Sequence, residues 1–352
     1  MREQKIITKP KVTIIVFCIL LFFFFILPAI SPSICMAKEK TYQARLGHPF
    51  APDDCWGRQS GILKKYAEKA TGGRLRIDVY PAGQLYKSDK EGLEACQSGG
   101  APIAFCNNME LSMFLKKWSG LSLPGMTRNV EHFRKLEKTD AYKALHREFE
   151  EKVGLKVLYW FTVPFPCMVY NSKRSLVTPG DWNGLKLRVA PAEGWIGAVK
   201  AFGASPIIID FAETLPAIAT GVVDGTLSSA ALLTLKAKET MPYCTVPTHR
   251  WDLGTPVIGF VVNGKWWNSL PGDMRKAVEG AMPAAAEEAQ KFVDKTDNDL
   301  WEEYLHWPGV KITYLTEEQS KVWKDLINEK VNRPIAEKLG TVDLLETSNR
   351  ID

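Results

Sequence analysis

Along the chain, short apolar runs that alternate with period two take turns with longer stretches whose apolar positions recur every three or four residues. Thr41 to Leu46 alternates as a strand does, and Asp53 or Asp54 can cap a helix carrying Trp56, Ile62, Leu63 and Tyr66. Thr71-Gly72-Gly73 stops that helix. Arg74 to Tyr80 then alternates as a strand with one buried face. Ser88 opens a second helix closed by Gly99-Gly100, and Ile103 to Cys106 reads as a short buried strand. Strand, helix, strand, helix, strand at these spacings predicts a parallel sheet with helices on both faces. Val130 to Val153 reads as one long helix rich in Lys and Glu, ended by Gly154, with Leu155 to Val163 as the next strand.

Pro164 and Pro166 break this pattern, so 163–167 is a candidate crossing between domains. A second α/β unit follows. Leu185–Val189, Pro206–Ile209 and Asp224–Ser228 read as strands, with helices over Trp195–Phe202 and Thr214–Thr220 between them. Pro256 to Val262 is strongly apolar. Leu270-Pro271 introduces a long helical stretch to about His306, stopped by Pro308-Gly309. A strand over Ile312–Leu315 and a helix from Thr316 to Leu339 finish the pattern.

The N-terminus changes the picture of location. Met1 to Lys11 is positive, Val12 to Leu27 is almost wholly apolar, and Cys35-Met36-Ala37 offers small residues at a cleavage site. The combination reads as a cleavable secretory signal ending near Ala37, so the mature protein is expected in the periplasm. The rival readings are an uncleaved anchor, because the apolar run approaches the roughly 20 residues that span a bilayer, and a lipid anchor at Cys35. Ile34 is bulky for the residue before a lipidated cysteine, and no later stretch is long and apolar enough to span.

The whole chain has 352 residues, a net charge of +5, 45% apolar and 24% charged residues. That length suggests two domains and that composition a folded protein. Residues 1–37 carry four positive charges and one negative, which leaves a net +2 on the remainder. No basic stripe is left for nucleic acid. Five cysteines remain, at 55, 96, 106, 167 and 244, an odd number without C-x-x-C spacing, so neither a zinc ribbon nor a thioredoxin-type site is expected. The five histidines lack metal-ligand spacing, and His132 and His146 fall in a charged helix, where they read as solvated or singly hydrogen-bonded. Nucleophile elbow, P-loop and dinucleotide fingerprint are absent. An exported two-domain α/β chain of this kind reads as a solute-binding protein rather than an enzyme, with no metal and no cofactor expected. Such proteins hold a ligand in a cleft and close on it by a hinge.

Asn171-Ser-Lys-Arg174, Gly184-Leu-Lys-Leu-Arg-Val189, Gly203-Ala-Ser-Pro206, Phe211-Ala-Glu213 and Thr220-Gly-Val-Val-Asp-Gly225 follow in order. Upstream stand Thr71-Gly-Gly-Arg-Leu75 and Tyr80-Pro-Ala-Gly-Gln-Leu85, and downstream Val262-Asn-Gly-Lys-Trp-Trp-Asn-Ser-Leu-Pro271. Together they resemble the substrate-binding subunit of tripartite ATP-independent periplasmic (TRAP) transporters, the DctP family. The resemblance implies a periplasmic binding protein-like α/β fold: two α/β lobes, crossed hinge strands and a long helix spanning both lobes. The expected division is 1–37 signal, 38–164 first part of lobe I and 165–250 first part of lobe II. Residues 251–295 would return to lobe I and carry the long spanning helix, and 296–352 would pack on lobe II. The resemblance also implies an organic acid as ligand and small and large TRAP membrane subunits as partners, with the receptor expected as a monomer.

Arg188 stands where the family clamps the ligand carboxylate, and a guanidinium presents a planar fork of donors that fits a carboxylate. Glu213 also matches a family position and is expected to brace the site or hinge; it could equally be a helix N-terminal acid favoured by the dipole. Where the family often has Gln-Glu-Asn after Val-Asp-Gly, this chain has Thr226-Leu227-Ser228-Ser229, and Ser228 becomes a candidate contact. Many members also supply a second Arg from the strand before Asn171. Here that segment is Phe165-Pro166-Cys167-Met168-Val169-Tyr170, and Phe165 is a candidate aromatic contact. Trp195 follows Arg188 closely, and Trp56, Trp160, Phe161 and Trp251 fall near segment ends that face the cleft in the family; each could instead be core. His48 and Asn107 sit after strands, where parallel α/β sheets place ligand groups, although His48 could instead cap the first helix and Asn107 simply satisfy a turn. One Arg among aromatics points to an apolar or aromatic monocarboxylate. The alternatives are a C4-dicarboxylate or 2-oxo acid in the same fold, or a periplasmic enzyme acting on a carboxylate.

Overall fold

The first strand, β1 (Tyr42–Gly47), pairs in parallel with β2 (Leu75–Tyr80), Tyr42 opposite Leu75. Their connection is α1 (Gly57–Ala70), started by Asp54, whose Oδ1 accepts the Gly57 N–H at 2.5 Å. In the computed structural model, residues 40–230, 240–248 and 253–351 are described, and 41–352 form one unit. Helix α2 (Asp89–Ser98) begins at Ser88, whose Oγ accepts the Glu91 N–H, and ends at Gly99 in the left-handed conformation. It leads to β3 (Ile103–Asn107).

The stretch expected as one long helix divides into α3 (Val130–Leu136) and α4 (Asp140–Val153). Thr139 makes the break: its hydroxyl donates to Leu136 O at 2.7 Å and accepts from the Tyr142 N–H at 3.3 Å, closing one helix and capping the next. The His132 ring makes a single hydrogen-bond contact among the described residues, Nε2 to Ser348 O at 3.1 Å. His146 is packed among rings, 4.3 Å from Tyr142 and 4.7 Å from Trp118. Burial lowers the pKa of His146 to about 3, so it stays neutral.

After β4 (Leu155–Thr162) the chain crosses and builds a second lobe from β5 (Met168–Asn171), β6 (Lys186–Val189), α5 (Glu193–Ala201), β7 (Ser205–Ile208), α6 (Thr214–Ala219), β8 (Gly225–Ser228) and β9 (Tyr243–Val246). It returns through β10 (Val257–Asn263), α7 (Gly264–Ser269) and the 34-residue α8 (Gly272–Leu305). Then come β11 (Lys311–Tyr314), α9 (Glu317–Ile327), α10 (Arg333–Leu339) and α11 (Val342–Arg350).

The expected parallel sheet of the first lobe is not continuous. β1 and β2 form a parallel pair, whereas β3 and β4 flank β10, antiparallel to both. All seven residues of β10 are buried, and its return from the other lobe is a long-range pairing to which local periodicity is blind. The second lobe has one six-stranded sheet, ordered β11-β9-β5-β8-β6-β7, with β5 antiparallel to its neighbours β8 and β9.

Helix α8 spans both lobes. Met274, Val278, Met282 and Val293 pack in the first lobe with α1 and the sheets, while Trp301 and Tyr304 pack in the second with Tyr170 and Cys244. At the junction Gln290 fastens the helix to the end of β4, accepting from the Thr162 N–H at 3.0 Å and donating to Thr162 O at 2.6 Å. The segment after 296 divides between the lobes rather than packing on the second alone. β11 extends the second sheet, and Trp323 and Ile327 join that lobe's core. Leu344 and Leu345 of α11, an element beyond the expected end of regular structure, bury against Leu145 and Phe149 of α4 in the first-lobe core. The five cysteines outside 1–37 are all buried.

Candidate functional site

The strand pleat aims Arg188. Leu187 and Val189 bury in the second-lobe core, so Arg188 between them points to the opposite face of β6. There it is 5% exposed, with Nε donating to Ile209 O at 2.7 Å and the guanidinium 5.7 Å from the centre of the Phe211 ring. That bond is its single one among the described residues, which leaves both terminal nitrogens open. Burial lowers its pKa to about 10, a shift opposed by Glu110 and Asp210, so it remains a cation at neutral pH.

Arg188 lines a cavity of about 60 Å³ between the lobes. At roughly 15 Å³ per water on this measure, it has room for about four waters. From the second lobe come Arg188, Ala190, Trp195, Phe211, Leu227, Ser228 and Ser229; from the first, Phe50, Trp56, Asp89, Phe105, Asn107, Met109 and Glu110, with Pro256 and Ile258 from the returning strand. Arg188 is the one basic side chain among these described residues.

Four candidates from the sequence meet here: Arg188, Trp195, Ser228 and Asn107, with Trp56 beside them. Trp195 opens α5, and its indole Nε1–H is buried without a partner. Gly254, at φ +112°, lets the backbone pass close to that ring; a Cβ there would stand 2.8 Å from Nε1. Asn107 does two jobs, lining the cavity while its Oδ1 accepts the Met109 N–H at 3.0 Å and caps a short 3₁₀ turn. Trp56 lies against Phe161, ring centres 6.4 Å apart.

The other candidates lie elsewhere. His48 is buried with Nε2 3.2 Å from Ser60 Oγ, tying the end of β1 to α1, and burial lowers its pKa to about 4. Glu213 is exposed on the turn before α6 and does not line the cavity; a short, solvated 3₁₀ turn carries it outward. Phe165 packs on Trp301 at 5.7 Å, in the cluster around Tyr170 and Tyr304, and does not line the cavity. Trp160 belongs to the aromatic group around His146. Trp251 lies outside the described residues.

Two acidic cavity residues are absent from the sequence reading, Asp89 and Glu110. Asp89 Oδ1 and Glu110 Oε2 are buried without a partner. Burial is the main force raising both pKa values; Glu110 and Asp210 raise Asp89 further, and Asp210 adds to Glu110 while Arg188 works against it. The available signal is position: Glu110 follows the C-terminal end of β3, where α/β sheets gather ligand groups.

The motifs behind the resemblance prove largely structural. Asn171 Oδ1 accepts the N–H groups of Lys173 and Arg174 at 2.9 and 2.8 Å, and Asp224 Oδ2 accepts the Lys186 N–H at 2.8 Å. At Gly225 a Cβ would fall 2.1 Å from Tyr170 O, so only glycine allows β8 this close to β5.

A family model for bacterial extracellular solute-binding protein family 7, DctP, matches residues 46–338. The chain belongs to the DctP family. The C4-dicarboxylate-binding periplasmic protein DctP of Rhodobacter capsulatus is 30% identical over 298 residues, 84% of this chain and 87% of that one. A TRAP periplasmic solute binding protein of Sulfurospirillum deleyianum, solved with bound succinate, matches with a TM-score of 0.78 at 23% identity, over 89% of this chain and 100% of that one. Another, from Roseobacter denitrificans with bound β-D-glucuronate, gives 0.79 at 19% identity, over 88% and 100%. The fold is therefore that of TRAP solute-binding proteins. The DctP family is one of extracellular solute binding, which fits a buried interlobe cavity. Among the described residues no helix is long and apolar enough to cross a membrane, and no group of three or more His, Cys, Asp or Glu could hold a metal ion.

Proposed function

We propose that this DctP-family protein captures a small organic acid between its lobes, with the carboxylate on Arg188, and delivers it to a TRAP membrane permease. Export through residues 1–37 with cleavage near Ala37 belongs to the same reading. The observation that carries it is a buried guanidinium facing a cavity between the lobes with both terminal nitrogens open. Away from bulk water a two-pronged carboxylate bond is far stronger than in water. Phe50, Phe105, Phe211 and Leu227 surround it with apolar surface. A single basic side chain in the lining favours one carboxylate over two, and the small volume favours a short apolar body over an aromatic one.

The test is a thermal-shift screen of residues 38–352 against organic acids and their amides. A ligand at 100 times its Kd should stabilise the native state by about 2.7 kcal/mol. The reading expects an acid to raise the midpoint and its amide to leave it unchanged. An amide as effective as its acid, or turnover of the hit to a product, contradicts it.

A further inference from the structure

A cavity that binds only an anion has no use for two carboxyl groups, yet Asp89 and Glu110 line the one that holds Arg188. Neither is paired with that guanidinium: Arg188 bonds to Ile209 O, while Asp89 Oδ1 and Glu110 Oε2 are left without a partner. Opposite charges sharing so small a space but not joined leave room for a ligand that carries both complements. Beside a simple carboxylate the two acids avoid uncompensated charge only by keeping their protons, whereas a ligand bearing its own cation lets them ionise and gives them a partner. The surrounding rings of Phe50, Trp56 and Phe211 suit a cationic group too.

We propose that Asp89 and Glu110 form a cation subsite in the Arg188 cavity, so that the ligand is a small zwitterion with an ammonium as well as a carboxylate. The proposal rests on the carboxylate reading above and adds the second charge. The charged groups acting on Glu110 are Arg188 and Asp210, with the Asn107 N–H also favouring its ionised form; those acting on Asp89 are Glu110, Asp210 and Asp54. Cys106, also close to both acids, has its thiol pKa pushed up by burial and stays neutral. In the empty site Glu110, raised to about 8, holds its proton at neutrality, and burial pushes Asp89 in the same direction. An ammonium favours their ionised form, so zwitterion binding releases protons and tightens as pH rises from 6 to 8.5. A plain carboxylate favours the protonated form and weakens over the same range.

The experiment compares 2-, 3- and 4-aminobutyrate with butyrate and 2-hydroxybutyrate by calorimetric titration, in the wild type and in Asp89→Asn, Glu110→Gln and Arg188→Ala. Thermal melts check that each variant folds. The expected result is at least one aminobutyrate binding tenfold or more tighter than butyrate and 2-hydroxybutyrate at pH 8. Glu110→Gln or Asp89→Asn should erase that preference while leaving butyrate unchanged or tighter. Butyrate or 2-hydroxybutyrate binding better than all three amines, no amine binding at all, or a preference intact in both acid variants overturns the proposal. If butyrate binds and Arg188→Ala abolishes it, the cation subsite fails while the carboxylate reading stands. An aminobutyrate that ignores Arg188→Ala sinks that reading instead.

Discussion

Replacing Arg188 by Ala isolates the one interaction on which the site depends. The side chain is 5% exposed, with one hydrogen bond to Ile209 O, so its two terminal nitrogens are free charged donors in the cavity. A bound carboxylate would lose two charge-assisted bonds, each about 1.5–3 kcal/mol, and would be left buried without a counter-charge. The expected cost is about 3–5 kcal/mol, a rise in Kd of two to three orders of magnitude or more. Stability of the empty protein should move far less. The variant loses the bond to Ile209 O and the contact over Phe211, but it also removes a cation whose pKa burial has pulled down to about 10. Arg188→Lys keeps the charge and loses the fork, so its affinity should fall between the two. Titration calorimetry with the acid found in the screen measures all three proteins. An Arg188→Ala affinity within twofold of wild type refutes the argument, because no other basic side chain among the described lining residues could take over.

Buried acids give the empty protein a signed pH dependence: their raised folded-state pKa values mean stability present at low pH is lost as pH rises. For Asp297, buried on α8 with both carboxyl oxygens unpartnered, the window runs from about 4 to about 8, at up to about 1.4 kcal/mol per pH unit. Chemical denaturation between pH 5 and 8.5 should show this fall, and Asp297→Asn and Glu110→Gln should each flatten it; a flat wild-type profile contradicts the burial. Gly254→Ala should cost about 1–3 kcal/mol and weaken ligand binding, because its Cβ would press on the Trp195 indole from a backbone with φ +112°; denaturation and titration read both effects. Glu213→Gln, an exposed change outside the cavity, should shift stability by no more than about 0.5 kcal/mol and leave affinity unchanged. A tenfold loss of affinity would return Glu213 to the site.

Local chemistry is legible wherever a residue acts on its own neighbours. Ser88, Gly99 and the Thr71–Gly73 stop mark helix ends in the sequence and do so in the structure. Thr139 hides its break because Val130–Val153 keeps a helical composition, and a cap inside such a run leaves no periodic trace. β10 is readable as an apolar strand, but not its insertion between β3 and β4, which depends on a partner about 100 residues away in one case and 150 in the other. Arg188 stands out only through the family resemblance, since one Arg in a strand looks like any surface charge. Asp89 is masked by a sufficient local reason: an acid in the first turn of a helix is expected on dipole grounds. Glu110 sits in a 3₁₀ turn with no period to betray its direction. Glu213 and Phe165 show the converse, residues at suggestive positions whose side chains the tertiary fold turns elsewhere.

The most direct measurement is a crystal structure of the protein with the acid found in the screen. The account predicts its carboxylate oxygens about 3 Å from the two terminal nitrogens of Arg188, enclosed between the lobes beside Ser228, Asn107 and Trp195. A carboxylate bound anywhere else, or an Arg188 turned to pair with Glu110 while the ligand sits apart from it, would contradict the central claim.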